Sequence, residues 1–183
     1  MRLKKLNAVT ALAVIISLIG HIGVMTYSLW TGWYNYIICK TFPHIAIALM
    51  IVHVLLSIII FFFYNDGSEV KYKNLNIGTV LQRATAIIIL ILIHFHVKAY
   101  AHVVTGEVLS AGMTAFRIVT ELLFFSAVLV HIAVSFGKAF ITLGIGSSGK
   151  AIQNITRIAF VICAVILLVA GSGAVVFYLK GIM

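Results

Sequence analysis

Five apolar runs, each long enough to cross a lipid bilayer, leave this chain almost no choice of fold class. A bilayer core is about 30 Å thick, and a helix rising about 1.5 Å per residue needs about 20 residues to cross it. The runs lie at roughly 6–29, 43–64, 77–101, 114–139 and 152–179. No water reaches that depth to satisfy backbone N–H and C=O groups, so each run must close its hydrogen bonds internally, as a helix. Of the 183 residues, 63% are hydrophobic and 9% charged, more apolar surface than a water-soluble domain of this size hides. The sequence predicts one all-α integral membrane domain over residues 1–183, a bundle of five transmembrane helices.

The net charge of +9 sits mainly in short connections between the runs, which is a topology signal rather than a nucleic-acid footprint. With the N-terminus cytoplasmic, that side holds Arg2, Lys4, Lys5, Lys71, Lys73, Arg83, Lys138, Lys150 and Arg157, and the other holds Lys40, Lys98, Arg117 and Lys180. This asymmetry puts the N-terminus in the cytoplasm and the C-terminus outside. Residues 1–29 open like a signal peptide, but the apolar stretch is too long and lacks a small-residue cleavage pattern, so it reads as a retained first helix. Pro43 suits the first turn of the second helix, where its missing N–H costs nothing. Asn65–Asn76 and Gly144–Lys150 read as polar loops. Cys39, expected in a loop, and Cys163, in the last run, support neither a disulfide framework nor a thiolate metal site.

Each of the first four runs carries a histidine at depth: His21, His53, His96 and His131. Ionisable groups are expensive there and need a reason. On the helical rise, His21 lies about 22 Å and His96 about 20 Å from the inner end, against about 16 Å for His53 and about 10 Å for His131. Two cross-helix pairs at two levels are what two stacked bis-histidine b haems require, an iron taking one neutral imidazole nitrogen from each side. Gly20, Gly23, Ser57, Ser135 and Gly137 would leave room for a macrocycle, and Ser17 stands one turn before His21. A single buried histidine can as well hydrogen-bond a neighbouring helix; four, one per helix and sorted by depth, favour haem. His94 and His96 project about 200° apart, so only one faces the centre, and arithmetic leaves the choice open. His44 and His102 fall at helix ends, where they read as interfacial groups within reach of a quinone.

The segment Val80-Leu-Gln-Arg-Ala-Thr-Ala86 followed by His96-Val97 resembles the third helix of the cytochrome b subunit of succinate:quinone oxidoreductases, specifically the single-subunit, five-helix, dihaem type. That helix reads Leu-Gln-Arg-x-Thr-Gly with the ligand thirteen residues after the Arg, a spacing kept by His96 and not His94. His131 through Phe140 to Leu143-Gly144-Ile145 is similar to the family's fourth helix and following loop. Ala86 stands where the motif has Gly, Ser57 and Ser135 where a Gly often follows the ligand, and helix II lacks an acidic residue that some relatives use near the quinone. The resemblance implies a membrane anchor in the cytoplasmic membrane of a prokaryote, binding a flavoprotein (FAD) subunit and an iron–sulfur subunit on its cytoplasmic face. It also implies an inner haem on His53 and His131, an outer haem on His21 and His96, and a quinone, most readily menaquinone, as substrate of the complex. In that resemblance the chain would not itself act on the dicarboxylate.

Arg83, with Lys5 and Asn7 at the same level, is placed to neutralise propionates of the inner haem, unless it is an ordinary positive-inside anchor. Glu121 is the one carboxylate well inside an apolar run. It suits proton exchange with a quinone near the outer haem, but an i,i+4 ion pair with Arg117 is the preferred reading. Trp30, Trp33, Tyr34 and Tyr36 form an expected aromatic belt, and Gly171 and Gly173 allow close helix packing. Two other function classes stay open. One is a cytochrome b of the nitrate reductase, formate dehydrogenase or hydrogenase type, which mounts two ligands on one helix, as His44 and His53, or His94 or His96 with His102, would allow. The other is a haem-free transporter or scaffold, colourless when purified.

Overall fold

A computed structural model describes residues 2–63, 73–99, 108–145 and 149–180, and over them the chain is five helices. They are α1 (Arg2–Thr31), α2 (Tyr36–Phe63), α3 (Lys73–Ala99), α4 (Ala111–Leu143) and α5 (Gly149–Lys180). Each contains a segment long and apolar enough to cross a bilayer, with mean hydropathy from 1.9 to 3.0. The protein is an all-α, multi-pass membrane bundle. Its exterior carries large apolar side chains such as Ile16, Ile37, Phe62, Val97 and Leu168, whereas many of its buried positions hold small ones: Ala8, Ala46, Ala127, Ala133, Ala170 and Ala174. That inversion is the mark of helices packing in lipid, where burying a large side chain gains little and close backbone approach gains more.

α2 and α4 start before their apolar runs, because polar caps set their first turns. α2 begins seven residues before Pro43, with Asn35 as its cap: the Asn35 side chain accepts from the Ile38 N–H at 3.1 Å. Pro43 thus lies inside the helix, not in its first turn, and Cys39 is buried on that helix, not in a loop. α4 starts after Ser110, whose hydroxyl accepts from the Met113 N–H at 3.3 Å. It ends at Gly144, in the left-handed region at φ 80°, where the Gly144 and Ile145 N–H groups return to the Ile141 and Phe140 carbonyls. Lys73–Asn76 and Gly149–Lys150, expected in loops, belong to helices. Asn65–Lys71 and His102 fall outside the described residues.

Polar rungs between helices fix the up-and-down order. Asn7–Ser57, Ser17–Phe42 carbonyl and Ser28–Cys39 join α1 to α2 antiparallel. Thr79–Lys138, Thr85–His131 and His96–Glu121 join α3 to α4 in the same sense. Gly171 lies beside Leu122 and Gly137 beside Ile152 and Thr156, so α5 runs antiparallel to α4, and Trp30 near the end of α1 donates its indole N–H to the Val169 carbonyl in the later part of α5. One end of the bundle therefore gathers the start of α1, the end of α2 and the start of α5, with Arg2, Lys4, Lys5, Lys150 and Arg157; it is termed the basic end. The other gathers exposed Trp30, Trp33, Tyr34 and Tyr36 in the expected belt and is termed the aromatic end.

Packing is uneven. α1 lies against α2, α4 and α5, and α4 against α3 and α5, but α2 lies against α1 alone. Among the described residues, no Cα of α3 comes within 8 Å of α1 or α2, nor any of α4 within 8 Å of α2. Helices in direct contact have axes about 8–10 Å apart, so α3 stands farther than ordinary packing from α1 and α2, and α4 from α2. Side chains bridge that gap.

Candidate functional site: two histidine pairs across a gap

The bridging side chains are the four histidines. At the aromatic end His21 of α1 meets His96 of α3, with ring centroids 6.1 Å apart and planes at 84°. At the basic end His53 of α2 and His131 of α4 are electrostatic neighbours. All four are partly buried. His94 is exposed on the far side of α3, with its ring 5.9 Å from that of Phe95. The structure thus resolves the choice that helical arithmetic leaves open: His96 faces inward.

In each pair one ring is held through Nδ1 and the other has a bare Nδ1, His53 lying instead against the Asn7 backbone. His131 donates its Nδ1–H to the Gln82 carbonyl at 3.0 Å, with the Thr85 hydroxyl 3.1 Å from the same nitrogen. A carbonyl only accepts, so the proton sits on Nδ1 and the lone pair stays on Nε2. Thr85 turns its own proton to the Leu81 carbonyl at 2.7 Å. His96 Nδ1 lies 2.9 Å from Glu121 Oε2, and against an ionised carboxylate the ring donates and takes the same tautomer. The Phe124 ring stacks on His96 at 4.5 Å and 22°. By contrast, the Nδ1 atoms of His21 and His53 are buried without a hydrogen-bond partner. Orphaned buried nitrogens are rare and costly, and here both belong to the α1–α2 half of the gap.

Glu121 is 1% exposed, and its other oxygen, Oε1, has no partner. The expected ion pair with Arg117 is not formed: Arg117 donates to the Ala99 carbonyl at 2.8 Å, and Glu121 turns across to α3 instead. Tyr178 of α5, 2% exposed, donates to the same Ala99 carbonyl. The C-terminal turn of α3, which carries His96, is thereby held by two other helices.

Around the basic-end pair, Lys138 donates to Thr79 Oγ1 at 3.0 Å and Gln82 Oε1 at 3.1 Å, and it is an electrostatic neighbour of both His131 and Arg83. Arg83 is exposed and lies over the Phe61 ring, 4.7 Å from its centroid, so it reaches across to α2. Lys5 is exposed, and Asn7 bonds Ser57 rather than a charged group. His44 is exposed on α2. Sequence reasoning passed over Lys138, whose two-turn spacing after His131 was the available signal. It also passed over Phe124, three residues after Glu121 and on the same face.

The small residues divide. A side chain at Gly23 would meet nothing within 4 Å, whereas one at Gly20 would strike the Phe42 ring and one at Gly137 the Thr156 hydroxyl. Gly20 and Gly137 therefore serve helix packing, not space beside the histidines. Ser57 is taken up by Asn7, and Ser17 donates to the Phe42 carbonyl at 3.0 Å rather than turning to His21. Ser135 keeps a buried, unpartnered hydroxyl. A cleft of about 160 Å³ at the aromatic end, lined by Phe95, Lys98, Met113, Phe116 and Arg117, is small beside the roughly 300–1,000 Å³ of ordinary ligand sites.

Among the described residues no cluster of three or more His, Cys, Asp or Glu surrounds a point where a bare ion would sit. The arrangement offers two nitrogen donors at each level and a gap between the helices that bear them. That donor set suits a metal whose remaining ligands arrive with it, in a planar macrocycle. No protein-family model, characterised protein or solved structure matches this chain.

Proposed function

We propose that the chain is the dihaem, quinone-reactive membrane anchor of a succinate dehydrogenase or fumarate reductase, set in a prokaryotic cytoplasmic membrane with its basic end in the cytoplasm. The observation that carries the reading is the two-level set of paired histidines across separated helices, one ring of each pair tethered through Nδ1. His21 and His96 have ring centroids 6.1 Å apart, and a metal-bearing group held between them would take one nitrogen from each. The resemblance of Leu81-Gln-Arg-Ala-Thr85 and of the α4 end to the dihaem cytochrome b family supplies the identity of the complex.

Residues of this chain have distinct tasks in that reading. His53 and His131 bind one haem b near the basic end, and His21 and His96 bind the other near the aromatic end. When bound, the two haems supply one-electron carriers at two levels between an iron–sulfur partner and menaquinone. The Gln82 carbonyl and Thr85 orient His131, and Lys138 and Arg83 bring positive charge to its level, where propionates need neutralising. Apolar helix faces keep water from the imidazoles. The cationic surface of Arg2, Lys4, Lys5, Lys150 and Arg157 faces the iron–sulfur and flavoprotein subunits.

A pyridine haemochrome assay on the purified complex tests this. Two b haems per chain are expected, falling to one in each single histidine-to-alanine variant at positions 21, 53, 96 and 131. No haem in the wild-type chain would overturn the reading and leave a helical transporter or scaffold.

A further inference from the structure

Glu121 is the least explicable side chain in the bundle if it is only structural. It is almost fully buried, no Lys or Arg among the described residues lies within ion-pair distance of it, and its Oε1 has no hydrogen-bond partner. An uncompensated carboxylate in such a place is strongly unfavourable. Its hydrogen-bonding neighbour among the described residues is His96 Nδ1, 2.9 Å from Oε2. His96 is in turn clamped by the stacked Phe124 ring and approached edge-on by Phe125, with centroids 6.0 Å apart.

We propose that Glu121 is a positioning residue for His96 that lowers the reduction potential of the aromatic-end haem, acting through the His96 ring. This rests on the dihaem reading above. A carboxylate accepting the Nδ1–H of a metal-bound imidazole fixes the ring's tautomer and orientation and increases its basicity. A more basic, more anionic ligand favours the oxidised iron–porphyrin core, which carries a net positive charge when both ligands are neutral. That charge supplies the counter-charge Glu121 otherwise lacks. The basic-end pair has the opposite surroundings: His131 donates to a neutral carbonyl, with cationic Lys138 nearby. Two sites with identical ligands thus acquire different potentials from what stands behind one ligand of each.

The nearly perpendicular ring planes of His21 and His96, 84° apart, add a signature. Perpendicular axial imidazoles give a strongly anisotropic low-spin ferric EPR signal, and loss of the Glu121 tether frees the His96 ring to turn.

The test is a potentiometric optical and EPR titration of the purified complex, comparing wild type with E121Q and E121D; the aromatic-end component is identified as the one missing in H21A. E121Q is expected to move that midpoint positive and alter its EPR signal while the other midpoint stays in place. Selective loss of the aromatic-end haem in E121Q would also support the assignment, since His96 would then have lost its hold. E121D, which keeps a carboxylate one methylene shorter, should fall between wild type and E121Q; it is the variant to read if E121Q does not assemble. Two haems with both midpoints at their wild-type values in E121Q, or an equal shift of both, would overturn the inference. A wild-type chain without haem would instead overturn the function on which it rests.

Discussion

The aromatic-end and basic-end histidine pairs use the same donor atoms in the same fold, yet they are built on opposite electrostatic footings. His96 leans on a buried carboxylate and an aromatic ring, whereas His131 leans on the Gln82 carbonyl and the Thr85 hydroxyl, with Lys138 two turns along its own helix. In each pair the partner from α1 or α2 keeps an unpartnered Nδ1. The half of each site held through Nδ1 therefore comes from the α3–α4 hairpin and the half with a bare Nδ1 from α1 and α2. Ligand identity alone does not set the chemistry of such a site; the atoms behind the ligand do.

The largest expected effect breaks one pair and spares the other. H53A or H131A should remove one haem and leave the aromatic-end spectrum intact, and H21A or H96A should do the reverse. H94A and H44A, which change exposed side chains, should retain both haems by the same count. A smaller change tests the charge at the basic end. Lys138 lies about 10 Å along α4 from His131, and at an effective dielectric of about 20 a unit charge at that distance is worth about 1.7 kcal/mol. K138Q should therefore lower the basic-end midpoint by about 70 mV and leave the aromatic-end midpoint alone, as read by optical redox titration.

The third prediction concerns the scaffold beside His21. A methyl group at Gly20 would stand 2.5 Å from the Phe42 ring, so G20A should destabilise the protein by about 1–3 kcal/mol through overpacking. Thermal unfolding in detergent followed by loss of the haem band reads this out, with the aromatic-end haem lost first. The smallest effect is S17A, which removes one interhelical hydrogen bond to the Phe42 carbonyl. Such bonds average about 0.6 kcal/mol in membrane proteins, so the midpoint temperature should fall only slightly and both haems should stay.

Much of this was legible from the residue string, because the bilayer simplifies the problem. Five long apolar runs admit five helices, and the helical rise alone sorts His21 with His96 and His53 with His131. The choice between His94 and His96 needed either the resemblance or the structure, since two residues so close in sequence differ in face but not in depth. Helix ends were misjudged where polar caps extend a helix beyond its apolar run: Asn35 carries α2 back through Pro43, and Ser110 carries α4 back before Thr114. Glu121 was read along its own helix, toward Arg117, because i,i+4 spacing is visible in a sequence and an approach from another helix is not. Gly20 and Gly137 were assigned to cofactor space for the same reason: a string shows that a residue is small, not which neighbour fills the room.

The most direct measurement is an optical redox titration of the purified complex, wild type beside H21A and H53A. The account predicts two one-electron b-type transitions in the wild type, with one missing in H21A and the other missing in H53A. A single transition, no transition at all, or the same transition missing in both variants would contradict it.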